Sequence, residues 1–411
     1  MNSHLKALDL RDSVGVNKEI AMSTNFDEKI ILKDTHSMKW DNMKACGVEA
    51  DDGLAMWVAD MDFKPPQAVT DALQGEIDRG VFGYYTNDAT LRSAVCNWME
   101  TRHGWTFAPS ALSWSHGVVA GLGIVFDAFT KPGDGIILFT PVYHAFARKI
   151  EAKGRKVVES HLSLNDGRYD MDLEALEASL DGSEKMVIFC SPHNPGGRLW
   201  SHAEIKALAD FCTKHDLLLI SDEIHMDLVF EGSKHIPTAV AAPDVKDRLV
   251  TLTAASKGFN IAGAETSFIV AEDEKLQNTI LKAQAAFGGS PNRFGMVMME
   301  AALKGGADWS DAACAYISEN FRIFRDGVNA IPGLSTMDME STYLAWVDFS
   351  GTGMERNEFT SRVAKDARIA ANAGPAFGSG GDSYMRFNIA TRREIVEESV
   401  KRLAEAFGDL Q

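Results

Sequence analysis

Cysteine is scarce in this 411-residue chain, and the five present (Cys46, Cys96, Cys190, Cys212 and Cys314) form no C-x-x-C pair. An odd, scattered set excludes a disulfide frame and fits reduced, mostly buried thiols with structural roles. None of the 11 histidines stands in an H-E-x-x-H or comparable spacing, so no metal site is expected. Long apolar runs are missing as well. No stretch reaches the roughly 18 apolar residues a spanning helix needs, and the polar start MNSHLKALDLRDSVGVNKEI does not read as a secretory signal. The expectation is therefore a cytoplasmic protein without a membrane partner. Basic charge is also in deficit: 41 Lys and Arg against 58 Asp and Glu give a net charge of −17, with no dense basic run. Such a surface does not follow a phosphate backbone, which argues against nucleic acid and anionic membranes. No internal repeat occurs, so solenoid folds drop out.

What is present is ordinary for a globular enzyme: 45% hydrophobic and 24% charged residues. The length exceeds what one core usually supports, so a large and a smaller domain are expected. Residues 1–25 carry little periodicity and read as a mobile N-terminal tail. From about residue 111, apolar strand-like runs alternate with helical patterns: GIILFTP (135–141), KVVESHL (156–162), KMVIFC (185–190), LLLISDE (217–223), RLVTLTA (248–254) and SFIVAE (267–272). Continuous apolar runs separated by helices, such as the amphipathic stretch 203–216, predict an α/β fold with a mostly parallel sheet covered on both faces. After residue 306 come a long helix, a strand at 342–349, a helix near 355–368, a strand at 383–390 and a last helix to about 407. That order predicts a separate α+β domain. The division is thus 26–75 as an N-terminal segment packing with the small domain or a neighbouring subunit, 76–305 as the large domain and 306–411 as the small one.

In a doubly wound sheet, ligands sit beyond the carboxyl ends of the strands, and several chemically capable residues fall there. Lys257 stands between the strand RLVTLTA and a glycine-bearing turn. Lysine avoids buried strand ends unless paired or deprotonated, so it is either a solvent-reaching side chain or a Schiff-base former. Asp222 follows LLLIS and suits a helix cap or a cationic ligand group. Asn194, in the turn SPHNPGGR, is either part of a tight connection or an amide held beside a ligand. Gly117 opens an apolar helix, so the backbone N–H groups of Gly117, Val118 and Val119 are available to a phosphate. Tyr143 lies just past a strand end, where its ring can stack on a planar group or simply pack. Arg386, inside the strand SYMRFNIA, needs an anionic partner, either an internal acid or a substrate carboxylate.

Taken together and in this order, these pieces resemble the fold-type I pyridoxal 5′-phosphate (PLP) enzymes, the aspartate aminotransferase-like class I and II group. The resemblance is closer to the MalY/PatB subgroup of cystathionine β-lyases and cysteine-conjugate lyases. It is carried by KWD (39–41), LAMWVADMDFKPP (54–66), GVFGYY (80–85), RHGW (102–105), SPHNPGGRLW (191–200), SDEIH (221–225) and SKGFNIAG (256–263), and it covers roughly residues 26–408. It implies a mostly parallel seven-stranded sheet with a smaller α+β domain, with PLP as the cofactor. It further implies that Lys257 holds the cofactor and acts as base, Asp222 pairs with the pyridine nitrogen, Asn194 bonds the ring oxygen and Tyr143 stacks on the ring. Gly117, Val118, Val119 and Ser256 would contact the phosphate, His225 would lie beside the cofactor and Arg386 would take the substrate carboxylate. Tyr84 resembles a tyrosine that reaches the phosphate of the partner subunit, implying a homodimer with shared sites.

Two positions depart from many aminotransferases of the family: Glu265 stands eight residues after the lysine in place of an arginine, and His225 replaces the tyrosine of a D-E-I-Y motif. Both fit the lyase subgroup better. The expected activity is β-elimination of L-cystathionine or related S-substituted cysteines to a thiol, pyruvate and ammonia. Aminotransfer is the alternative within the family, and a regulatory or binding protein on the same fold is the alternative of another class.

Overall fold

The computed structural model describes residues 24–288 and 291–410. Most of the expected tail, residues 1–23, lies outside the described residues. The apolar runs form a seven-stranded sheet: β1 (Leu112–Ser115), β2 (Gly135–Thr140), β3 (Lys156–His161), β4 (Glu184–Cys190), β5 (Leu218–Asp222), β6 (Leu249–Thr253) and β7 (Ser267–Val270). Their spatial order is β1-β7-β6-β5-β4-β2-β3. The block β6-β5-β4-β2-β3 is parallel, whereas β7 runs antiparallel to both β6 and β1. Every residue of β2, β6 and β7 is buried, as strands covered on both faces require.

Alternate side chains of these strands feed two cores. Ile136, Leu138, Met186, Ile188, Ile220 and Leu252 pack with helix α1 (Val118–Phe129) on one face. Ile137, Phe139, Val187, Phe189 and Leu219 pack with Ile205, Leu208 and Phe211 of α2 (His202–Lys214) on the other. A reciprocal capping box between Ser201 and Glu204 starts α2, satisfying two N-terminal amides that would otherwise lack partners. The strand β1 was not among the expected strands, because LSWS alternates only two apolar residues over four positions.

The C-terminal part contains α3 (Ala307–Asn329), an antiparallel sheet of β8 (Ser335–Thr336), β9 (Leu344–Asp348), β10 (Asn372–Ala373) and β11 (Tyr384–Asn388) in the order β8-β9-β11-β10, and α4 (Arg393–Ala406). The helix expected near 355–368 is α-helical over Arg356–Ser361 and π-helical over Arg362–Asp366. No described helix is long and apolar enough to cross a membrane.

The segment 26–75 stays out of the main sheet. Leu54–Ala55 pairs in parallel with Ile369–Ala370, and the amide of Asp62 donates to the carbonyl of Ala390. The chain between them forms a strap laid over β11: Asn388 donates from Nδ2 to the carbonyls of Val58 and Asp60, both at 2.6 Å. The motif KWD, which precedes the strap, is bound to ADMD within it. Lys39, 1% exposed, lies 3.1 Å from Asp62 and 3.8 Å from Asp60, and the indole of Trp40 donates to Asp62 at 2.8 Å.

Candidate active site

Strand ends position the first group of side chains. Asp222 closes β5, is 3% exposed and accepts from the amide of Ile224 at 3.1 Å, which makes it a local turn acceptor and not the cap of a long helix. No Lys, Arg or His lies in ion-pair contact with it among the described residues. Burial, helped by the neighbouring Glu223, pushes its carboxyl up to about 7. Glu223 faces away into a sealed network, where its carboxylate meets His235 at 2.9 Å and accepts from Ser221 and the Thr238 amide. Asn194 lies past β4, and Tyr143 lies past β2 on the turn into the helix Ala145–Ala152.

Gly117 sits at the N-terminus of α1 with φ 80°, a left-handed conformation that glycine adopts without strain. No side chain caps this helix, so its first amides point outward unpaired, the arrangement that suits an anion.

Lys257 belongs to the single turn Ala255–Gly258 after β6. Gly258 lets this turn approach the chain at Asp227, since a Cβ there would come within 2.9 Å of the Asp227 Cβ. The Lys257 ammonium donates to the carbonyl of Ala59 in the strap, and the hydroxyl of Tyr343 donates to the same carbonyl at 2.9 Å. Burial holds the Lys257 amine down at about 8, partly offset by Asp60.

The opposite wall comes from β11. Arg386, 2% exposed, donates to Asn194 Oδ1 at 3.0 Å, to the Trp57 carbonyl at 3.0 Å and to Asn372 Oδ1 at 2.8 Å. Its Nε has no partner, and no carboxylate pairs with it among the described residues. The internal salt bridge open on sequence grounds is thus not what holds it. Burial lowers its guanidinium to about 10. A buried cation satisfied only by neutral acceptors retains a strong demand for an anion.

These elements enclose a cavity of about 350 Å³ that brings together Gly117, Val118, Val119, Tyr143, Asn194, Asp222, His225, Ser256 and Lys257. Arg386 lines an adjoining chamber that shares Tyr143, Lys257 and Ala59. Burial, reinforced by Lys257 and Arg386, holds the His225 imidazole down at about 3, so this ring is neutral at physiological pH. Tyr84 is not brought here: it is fully exposed and is absent from both cavity walls. The sequence reading missed Ala59, whose backbone carbonyl leaves no side-chain signature, and Cys190, the last residue of β4, which lines the cavity. It also missed Cys46, on the wall of the adjoining chamber. The position of Cys190 immediately before SPHN was the available signal for it.

Residues 52–406 match the model of the family described as aminotransferase class I and II. The chain is 38% identical over 386 residues to cystathionine beta-lyase PatB of Bacillus subtilis, spanning 93% of this chain and 99% of that protein. It is 30% identical to protein MalY of Escherichia coli over 93% of this chain and 98% of the relative. Among solved structures, cystalysin from Treponema denticola, which contains a pyridoxal 5′-phosphate cofactor, superposes with a TM-score of 0.90 at 34% identity, covering 94% of this chain and all of that one. The strand-end lysine, the acid at the end of β5 and the open helix terminus thus occur in a chain that belongs to the aminotransferase class I and II family.

Proposed function

We propose that the protein is a PLP-dependent carbon–sulfur β-lyase that converts L-cystathionine or related S-substituted cysteines, with water, to a thiol, pyruvate and ammonia. The observation that carries this reading is the single cavity in which Lys257 faces a buried acid without a cationic partner, Asp222, and an uncapped helix terminus at Gly117. Those residues fit the cofactor: a buried carboxylate raised to about 7 suits a ring nitrogen that arrives with a proton, and unpaired amides suit a phosphate. When bound, PLP supplies a carbonyl that condenses with amines and a ring that accepts electron density from the substrate α-carbon.

In this reading the amides of Gly117, Val118 and Val119 hold the phosphate with the Ser256 hydroxyl. Tyr143 would stack on the ring, Asn194 would donate to its oxygen, and Asp222 would keep the proton on the ring nitrogen. His225 would line the cofactor cavity as a neutral imidazole. Arg386 receives the substrate α-carboxylate, the anion its surroundings lack. The Lys257 amine, held near 8 by burial, is neutral often enough at physiological pH to take the α-proton as general base. The sulfur then leaves the β-carbon with the bonding pair, and the proton held on the Lys257 amine completes the thiol. Glu265 lines the cavity where many aminotransferases have a phosphate-binding arginine, and the similarity to PatB and cystalysin also supports elimination over aminotransfer.

The reading includes a cytoplasmic homodimer, with residues 76–305 as the cofactor domain, 306–411 as the small domain and 26–75 as an N-terminal segment packing with the small domain. The exposed Val81, Phe82 and Tyr84 in GVFGYY support a partner surface there, with Tyr84 reaching the second subunit. The test supplies L-cystathionine and a panel of S-substituted cysteines without any keto acid. Equimolar thiol and pyruvate are expected. Turnover that requires a keto acid and releases no thiol overturns the lyase reading.

A further inference from the structure

The chamber adjoining the cavity has a charge pattern opposite to that of the whole chain. It encloses about 580 Å³, and its lining includes Lys257, Arg148 and Arg386 but neither Asp nor Glu, in a chain with 58 acidic residues, while burial holds His144 on the same wall neutral. Arg386 is bound on three sides and, under the lyase reading, serves the α-carboxylate. Arg148 is exposed at the chamber wall, and its guanidinium makes no hydrogen bond or ion pair among the described residues. It stands one helical turn after His144, and its amide donates to the His144 carbonyl at 3.4 Å. Side chains four apart leave the same helix face, so Arg148 and His144 reach the chamber together. Much of the remaining wall is apolar, with Trp57, Ala373, Ala376 and Met385.

We propose that Arg148 determines substrate choice by pairing with a second carboxylate, at the far end of the group carried on sulfur, so that S-(carboxyalkyl)-cysteines are the preferred substrate class. The inference rests on the lyase reading and names the substrates of that same site. The apolar wall accommodates an alkyl chain of any terminus, whereas only an anionic end satisfies a guanidinium, through charge-assisted bonds about twice as strong as neutral ones. A distal ammonium gains no acid partner from this lining.

The test compares kcat/KM for S-(2-carboxyethyl)-L-cysteine and its uncharged counterpart of equal size, S-(2-carbamoylethyl)-L-cysteine, in the native holoenzyme, Arg148→Gln and Arg148→Lys. The native enzyme is expected to favour the carboxylate by roughly tenfold, in line with a charged hydrogen bond at a partly exposed site. In Arg148→Gln the ratio is expected to fall to near one, and Arg148→Lys to retain part of it. A purely structural role would not move this ratio. Absence of preference in the native enzyme, or an unchanged ratio in Arg148→Gln, overturns the assignment while leaving the lyase reading intact. If neither compound nor S-methyl-L-cysteine releases thiol and pyruvate, the lyase reading falls and the substrate assignment falls with it.

Discussion

The two walls of the cavity are built in different ways. One consists of strand ends: Asp222, Asn194, Tyr143 and Lys257 follow β5, β4, β2 and β6 of a sheet whose strands are buried on both faces. The other is a strap, residues 57–62, held on β11 by side-chain bonds to backbone carbonyls and touching Lys257 through Ala59. The first wall is fixed by a packed core, so its geometry survives local change. The second is pinned by Met61 and the flanking Met56 and Phe63 in the core, but its backbone carbonyls are oriented by polar contacts from distant segments, and removal of one of them exposes that dependence.

The comparison breaks most completely at the residue both walls touch. Lys257→Ala is expected to lower turnover by on the order of 10⁴-fold or more, as loss of a residue acting in the chemical step does, while the circular dichroism spectrum stays unchanged. On the strand-end wall, Asp222→Ala is expected to cost about 10²–10³ in kcat, by analogy with loss of a preorganised electrostatic contact. Near-normal steady-state turnover in that variant would refute its role. On the strap wall, Asn388→Ala removes one of the two donors to each of the Val58 and Asp60 carbonyls, which keep the Asp60 amide and Lys39 respectively, and takes the Oδ1 acceptor from the Ala390 amide. A loss of roughly 1–3 kcal/mol of stability is expected in urea unfolding, from the lost bonds and the unpaired buried amide, with KM raised more than kcat is lowered. An equal effect on kcat from Asn388→Ala and Asp222→Ala would erase the distinction between the walls.

The smallest effect concerns charge. Burial depresses the Lys257 pKa from 10.5 to about 8, so in the cofactor-free protein its neutral, reactive form appears as pH rises through about 8. Lysine labelling read by mass spectrometry is expected to show that midpoint for Lys257, with other lysines labelled at higher pH. A midpoint near 10.5 would mean the amine is solvated and the burial argument fails.

The strand-end wall was legible in the sequence because two signals coincide there: a buried parallel strand is a continuous apolar run, and the residue after it is where ligands sit. The positions of Asp222 after LLLIS and Lys257 after RLVTLTA follow directly, whereas their roles came only with the family resemblance. Gly117 carried little alone, because glycine-opened helices are common, and gained meaning only from the order of motifs that follows it. The strap was legible only in part. Its placement beside the C-terminal region was expected, yet Ala59 and the Asn388 clamp were not, since a carbonyl acceptor imposes no residue type and its donor lies far away in the chain. The strand LSWS escaped for want of apolar length. Arg386 needed the structure to show that neutral acceptors, and no acid, surround it.

The reactive identity of Lys257 is tested most directly by borohydride reduction of the native holoenzyme followed by peptide mapping. The account predicts one pyridoxyl-lysine per chain, at Lys257 within TLTAASKGFNIAG. Modification at another lysine, or bound cofactor that borohydride does not fix to the chain, would contradict it.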